Sequence, residues 1–356
     1  MAKVFVGMSG GVDSSVSAYL LKKAGHDVTG VFIRVWQPEG GECTWKDERR
    51  DAMRVAAHLD IPFVTLDLRD AYKKGVVDYM IAEYKAGRTP NPDVMCNRQV
   101  KFGAFSDWAK KQGGDFVATG HYAQIRDGQM CEGADAHKDQ SYFLWTLTKE
   151  ELEHVMFPVG HLQKSEVRAI AEKAKLPVFD KKDSQGVCFI GHIDMKEFLK
   201  GYIDTKKGAV LDTQGQVIGE HEGALLYTIG ERHGFTIFKQ RTDQKRLYIV
   251  AKDIETNTLI VSDTVSAEDT DLKSGESKTE IHITDVVIRT DIEQLKHLEC
   301  RTRYRQKRIP IQSIKKIQGK TGTELTVVLT ENQLVSSGQS MVLYDGEVCV
   351  GGGVIE

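Results

Sequence analysis

The stretch Val6-Gly7-Met8-Ser9-Gly10-Gly11-Val12-Asp13-Ser14-Ser15, VGMSGGVDSS, decides how the N-terminal half is read, because it joins an apolar run, KVFVGM, to a helical one, SSVSAYLLKKAG. Glycines at such a junction let the backbone approach a ligand closely, since they carry no Cβ and tolerate positive φ. The loop N–H groups, the hydroxyls of Ser9, Ser14 and Ser15 and the positive end of the following helix together make an anion cradle. Asp13 is out of place beside phosphate unless it helps hold a divalent cation, Mg²⁺, that bridges the phosphates. The competing reading is a glycine turn that merely caps a helix. Strand, Ser-Gly-Gly-x-Asp-Ser string and helix in succession favour a nucleotide loop, and the absence of Gly-Lys-Ser/Thr separates it from Walker-type loops.

Outward from this loop the pattern alternates. DVTGVFIRVW is strand-like, ERRDAMRVAAHLD puts Ala52, Val55, Ala56 and Leu59 on one helical face, PFVTLDL is a strand, AYKKGVVDYMIAEYKAG a helix and DFVATG a strand. Such alternation predicts an α/β domain with a parallel sheet covered on both faces and ligands at the carboxyl ends of its strands. Beyond KEFLKGYI the texture changes to short, glycine-punctuated β runs, and from about Val265 to polarity-alternating ones. We therefore expect an ATP-binding domain at 1–203, a small β-rich linking domain at 204–263 and a C-terminal β-barrel at 264–356.

At 356 residues the chain can bury such cores without staples. It has no run of about eighteen apolar residues, and MAKVFVGM lacks the layout of a signal peptide, so a cytoplasmic protein with no membrane partner is expected. The six cysteines (Cys43, Cys96, Cys131, Cys188, Cys300, Cys349) show no metal-ligand spacing, so one that matters should matter as a thiol. Net charge is −3, yet 296–320 carries nine Lys or Arg against one acid, Glu299. Read as a strand, RTRYRQK sets Arg301, Arg303, Arg305 and Lys307 on one face, able to track phosphates, with Tyr304 on the other to stack or hydrogen bond at a nucleotide. A solvated basic edge strand is the alternative.

Two further stretches carry thiols. In GRTPNPDVMCNRQVKF two prolines stiffen a loop, Asp93 and Cys96 stand one helical turn apart, and Arg98 and Lys101 would favour the thiolate. In KKDSQGVCFIG, Cys188 follows Lys181 and Lys182. Either cysteine alone would pass for an inert thiol; as a pair beside a nucleotide loop they suggest sulfur chemistry or a transient disulfide.

The loop resembles the pyrophosphatase loop of enzymes that activate a carbonyl oxygen as its adenylate, among them argininosuccinate synthetases, GMP synthetases and tRNA-thiolating enzymes. GMSGGVDSSVSAYLL, AGRTPNPDVMCNRQVKF, ATGHY, KDQSYFL, FPVG, KKDSQGVCFIG, RTRYRQ and DGEVCVGGGVIE, in order from Gly7 to Glu356, are similar to the bacterial tRNA-specific 2-thiouridylases. The resemblance implies ATP-dependent 2-thiolation of the wobble uridine. It implies ATP contacts from Gly7, Met8, Ser9, Gly10, Gly11, Val12, Asp13, Ser14, Ile33 and Gly120. Asn91, Pro92 and Asp93 would meet the target base, and His121, Lys138, Asp139, Gln140, Arg303, Tyr304 and Gln339 would contact tRNA. Cys188 would carry the persulfide, Cys96 would be its catalytic partner and Asp93 an acid or base. Whether Cys96 attacks the persulfide or reduces an intermediate stays open. A persulfide donor, either a cysteine desulfurase or a sulfur-relay protein, and an external reductant are implied partners. The chain departs from the family at Glu231 and His233 in GERHGF, where Gln and Lys are usual, and 124–138 is short. The rival readings are a small-molecule ATP pyrophosphatase, which needs neither the cysteine pair nor the basic segment, and a tRNA-binding chain without catalysis, which would tolerate serine at both cysteines.

Overall fold

The computed structural model describes residues 1–38, 45–182, 194–239, 246–263, 277–295, 297–319 and 322–356. Cys43 and Cys188 lie outside them, as does most of KKDSQGVCFIG.

Strand β1 (Lys3–Gly7) is the centre of a five-stranded parallel sheet. Beside it run β2 (Asp27–Arg34), β3 (Phe63–Asp67) and β4 (Phe116–Ala118). A hairpin, β5 (Ala123–Arg126) and β6 (Gln129–Glu132), precedes the last strand, β7 (Val155–Met156), and the order is β3-β2-β1-β4-β7. Val4 and Val6 face one core with Val28, Phe32, Val16 and Val55, while Phe5 faces another with Val31, Ile33, Val100 and Phe105. Both faces of β1 are thus buried, as parallel strands require. The first core is roofed by α1 (Val12–Lys23), α2 (Trp45–His58) and the Lys164–Lys173 helix. Helical segments between Arg69 and Lys111, including π-helical turns at Lys73–Asp78 and Asn97–Ala104, cover the second. Edge strand β3 is the exception to the expected two-sided cover, with Val64 exposed.

A second sheet holds β8 (Gly208–Leu211), β9 (Val217–His221), β10 (Thr236–Ile237), β11 (Tyr248–Asp253) and β12 (Thr258–Ser262). It closes on Leu199, Val210, Tyr227, Ile249 and Leu259. The departures at Glu231 and His233 fall here. Glu231 ion-pairs with Lys196 at 2.7 Å and accepts from Thr228 N–H, so this carboxylate is a structural partner inside the domain. The third unit comprises β13 (Ser277–Ile288), β14 (Leu298–Arg301), β15 (Ile309–Gln318), β16 (Thr323–Leu334), β17 (Ser340–Asp345) and β18 (Val348–Ile355). The order β13-β16-β15-β14-β17-β18 closes through β13–β18 into a six-stranded barrel. Hairpin β5–β6 of the first unit extends this barrel sheet through Cys131 against Val348, with Glu132 N–H donating to Glu347 C=O.

One expectation is corrected. RTRYRQK is a strand only as far as Arg301; residues 302–308 turn, and Arg305 takes a left-handed φ of 62°. The cause is Gln306, whose Oε1 accepts from Thr302 N–H, Thr302 Oγ1 and Arg303 N–H and so replaces a β ladder with a side-chain-tied turn. The basic groups consequently diverge rather than share one face. No helix of the described residues is long and apolar enough to cross a membrane.

Candidate nucleotide and thiol site

The glycine-rich loop leaves β1 at its carboxyl end and enters α1 with Gly11 as an N-cap that offers no side-chain acceptor. Hydroxyls tie the loop internally. Ser14 Oγ accepts from Ser9 N–H at 3.2 Å and donates to Gly11 C=O, and Ser15 Oγ donates to the same carbonyl at 2.7 Å. Gly10 has φ 77°, and a Cβ there would stand 2.3 Å from Glu48 C=O, so only glycine fits. Met8 is buried below the loop and donates its N–H to Val31 C=O, while Ile33 lies in the core beneath the carboxyl end of β2.

Gly120, just past β4, presses on the start of α1: a Cβ would meet Ser14 N at 2.7 Å and the Asp13 carbonyl carbon at 2.8 Å. The neighbouring Tyr122 hydroxyl donates to Asp13 Oδ1 at 2.8 Å, and Lys164 Nζ reaches the same oxygen at 2.6 Å. Sequence reasoning missed Lys164, which lies 151 positions away and belongs to no recognisable motif. Among the described residues no cluster of three His, Cys, Asp or Glu could cage a metal. The donors at the loop, one carboxylate and hydroxyls, suit Mg²⁺ held largely by phosphate oxygens and water.

On the other side of the same strand end lies the thiol segment. Pro92–Cys96 is a short helix capped by Asn91, whose Oδ1 accepts from Val94 N–H, with Pro92 at its first position. This sets Asp93 and Cys96 one turn apart, Asp93 part-exposed and Cys96 buried among Val94, Val100 and Phe102. Arg98 pairs with Asp285 of the barrel, and Lys101 Nζ stands 3.3 Å from His121 Nε2. Lys181, expected near Cys188, pairs with Asp51 at 2.8 Å.

His121 is buried between Phe102 and Phe157, its Nδ1 2.7 Å from Thr119 Oγ1. Burial, reinforced by the Lys101 ammonium, pushes its imidazole well below the ordinary 6.5. The ring is therefore neutral, accepting at Nε2 from Lys101 and donating from Nδ1 to Thr119. The Ala118–Tyr122 segment thus touches the loop through Gly120 and Tyr122 and the Cys96-bearing helical run through His121.

The residues expected at RNA make contacts both within their own units and between units. Asp139 is 5% exposed; its carboxylate accepts from Gly133 N–H, Ser141 N–H and Ser141 Oγ, and meets Arg301 Nη1 at 3.3 Å. Burial, with Glu132 nearby, raises its pKa despite those donors. Arg301 and Arg308 also pair with Glu132, at 2.9 and 2.5 Å, and flank the ring of Tyr344. Gln140 Oε1 accepts from Tyr122 N–H, and Lys138 N–H bonds back to Asp135 C=O. Arg303 donates to the carbonyls of Ile229 and Leu334, and Tyr304 packs on Phe143 with centroids 4.5 Å apart. Gln339 Nε2 donates to the carbonyls of Thr89 and Pro90, holding the proline loop against the barrel. Arg305 and Lys307 are left exposed, and Lys307 lines a groove of about 520 Å³ together with Gln306, Arg308, Gln333 and two acids, Glu299 and Glu331.

Comparison with known proteins covers the whole architecture. Family models described as a tRNA methyl transferase HUP domain, a tRNA methyl transferase PRC-barrel domain and an aminomethyltransferase β-barrel domain match residues 2–192, 196–263 and 278–355. The tRNA-specific 2-thiouridylase MnmA of Streptococcus thermophilus is 44% identical over 99% of this chain and 95% of its own. Those of Enterococcus faecalis and Listeria monocytogenes are 43% and 41% identical, each over 99% of this chain, and over 95% and 94% of their own. With this identity along nearly its full length and all three units matched in order, the chain belongs to the MnmA family of tRNA-specific 2-thiouridylases.

Proposed function

We propose that this chain is an ATP-dependent tRNA-uridine 2-sulfurtransferase acting on the wobble position. The observation that carries the reading is the Ala118–Tyr122 segment, which abuts the anion loop through Gly120 and the Cys96-bearing run through His121 and Lys101. It supports one cleft in which a nucleotide and a base are handled together.

In this reading Gly7 to Ser14, with Ile33 and Gly120, bind ATP, and Asp13 would help hold a Mg²⁺ ion, which would supply neutralisation of the phosphate charge. The uridine C2 oxygen attacks the α phosphorus and pyrophosphate leaves, its charge met by the loop N–H groups and the α1 dipole. Asn91, Pro92 and Asp93 hold the base, with Asp93 exposed enough to exchange a proton. The terminal sulfur of the Cys188 persulfide attacks C2, expelling AMP. Cys96 then attacks the Cys188 sulfur, releasing the thiocarbonyl and leaving a Cys96 to Cys188 disulfide that an external dithiol reduces with two electrons. A cysteine desulfurase or relay protein reloads Cys188. Arg305 and Lys307, both exposed, are the phosphate-facing groups of the barrel, while His121, Lys138, Asp139, Gln140, Arg303, Tyr304 and Gln339 shape the RNA site.

Incubation with ATP, Mg²⁺, a sulfide source and unmodified tRNA, followed by nucleoside mass spectrometry, tests the proposal; 2-thiouridine should form only when ATP is present.

A further inference from the structure

The pyrophosphate loop has no lysine of its own, yet a lysine stands at it. Lys164 Nζ lies 2.6 Å from Asp13 Oδ1, its side chain 13% exposed. Its backbone is held as firmly. Lys164 N–H donates to Asp135 Oδ2, Gln163 and Glu166 form a capping box at the same helix start, and Gln163 Nε2 donates to Ala134 C=O. The Lys164–Lys173 helix packs on α1 through Val167 and Ala171 in the core that contains Val12 and Val16. A cation so fixed at the mouth of an anion cradle is worth more than a surface lysine, because little solvent screens it and little ordering remains to be done.

We propose that Lys164 is the phosphate-binding cation of this site, moving from Asp13 to the polyphosphate of the nucleotide and following the charge onto departing pyrophosphate. The inference rests on the reading that the loop binds ATP. Asp13 tolerates the exchange because the Tyr122 hydroxyl, 2.8 Å away, donates to it, and its carboxylate would then be available to help hold a divalent cation brought with the phosphates. In the nucleotide-free loop the same ion pair cancels the carboxylate that would otherwise repel an incoming polyanion. Lys164 thus does from a distant helix what the lysine of a Walker-type loop does from within the loop.

Calorimetric titration of the full chain with ATP, pyrophosphate and adenosine, in Mg²⁺, tests this on wild type, Lys164→Met and Lys164→Arg. Loss of one charge-assisted contact predicts affinity for ATP and pyrophosphate reduced roughly 10- to 100-fold in Lys164→Met, with adenosine affinity held and most of the ATP affinity restored by arginine. Equal ATP affinity in wild type and Lys164→Met, or an equal loss for adenosine and ATP, overturns the proposal. If wild type binds pyrophosphate but not ATP, the ATP reading fails while the pyrophosphate series still decides the role of Lys164; if it binds neither, both fall. Should Lys164→Met not fold, Lys164→Gln takes its place in the same titrations.

Discussion

His121→Gln should flatten the acid side of the stability profile. In the folded chain the imidazole is buried between Phe102 and Phe157 and held neutral, whereas in the unfolded chain it takes up a proton near pH 6.5. A base whose folded pKa is depressed makes its full contribution above the unfolded value. The contribution falls as pH drops, because the unfolded state alone binds the proton, and it levels off below the folded pKa. Between about pH 7.5 and 5.5 this one group should remove up to about 1.4 kcal/mol, one proton's worth per unit of pH below 6.5 at most. Glutamine can accept from Lys101 and donate to Thr119 while binding no proton, so the variant should lose that much less over the same interval. Urea unfolding at the two pH values, followed by tryptophan fluorescence, measures the difference. His221, whose imidazole burial also lowers, is common to both proteins and cancels. The same pH dependence in wild type and variant would refute a buried, neutral His121.

Three further outcomes follow from the geometry. Gly120→Ala places a methyl 2.7 Å from Ser14 N, so the start of α1 must shift; about 1–3 kcal/mol of destabilisation and weaker ATP binding are expected, by calorimetry. Asp139→Ala strips a buried partner from Arg301 and an acceptor from Gly133 and Ser141, and should cost about 3–5 kcal/mol in urea unfolding, whereas exchanging exposed Lys307 for Ala should cost under about 0.5. Gln339→Ala removes the Nε2 donor to the Thr89 and Pro90 carbonyls while leaving Thr89 N–H on Ser337 C=O, and should lower the thiolation rate with ATP affinity unchanged, the loss corresponding to about 1–3 kcal/mol in single-turnover assays.

The nucleotide loop was legible because its chemistry is local: strand, small residues, an aspartate and a helix follow one another within Val6–Ser15, and the parallel sheet follows from the same alternation. The Asp93–Cys96 turn was legible for the same reason, Pro92 and Asn91 being helix-start residues. Lys164 was not, because only the packing of its helix on α1 brings it to Asp13. The basic segment was misread as a strand because alternation there is imitated by a turn that Gln306 ties with three hydrogen bonds. The partners that neutralise Arg301 and Arg308, Glu132 and Asp139, arrive from a hairpin and turn of another unit. Glu231 likewise reads as a loss of positive charge until Lys196 is seen beside it.

The most direct test of the central claim compares wild type with Cys96→Ser and Cys188→Ser in a single-turnover reaction with ATP, Mg²⁺, a persulfide donor and unmodified tRNA, scoring 2-thiouridine by nucleoside mass spectrometry and AMP release in parallel. Thiolated uridine from wild type and none from either variant, with ATP still bound by both, is the predicted result; wild-type yields of 2-thiouridine from both variants would contradict the account.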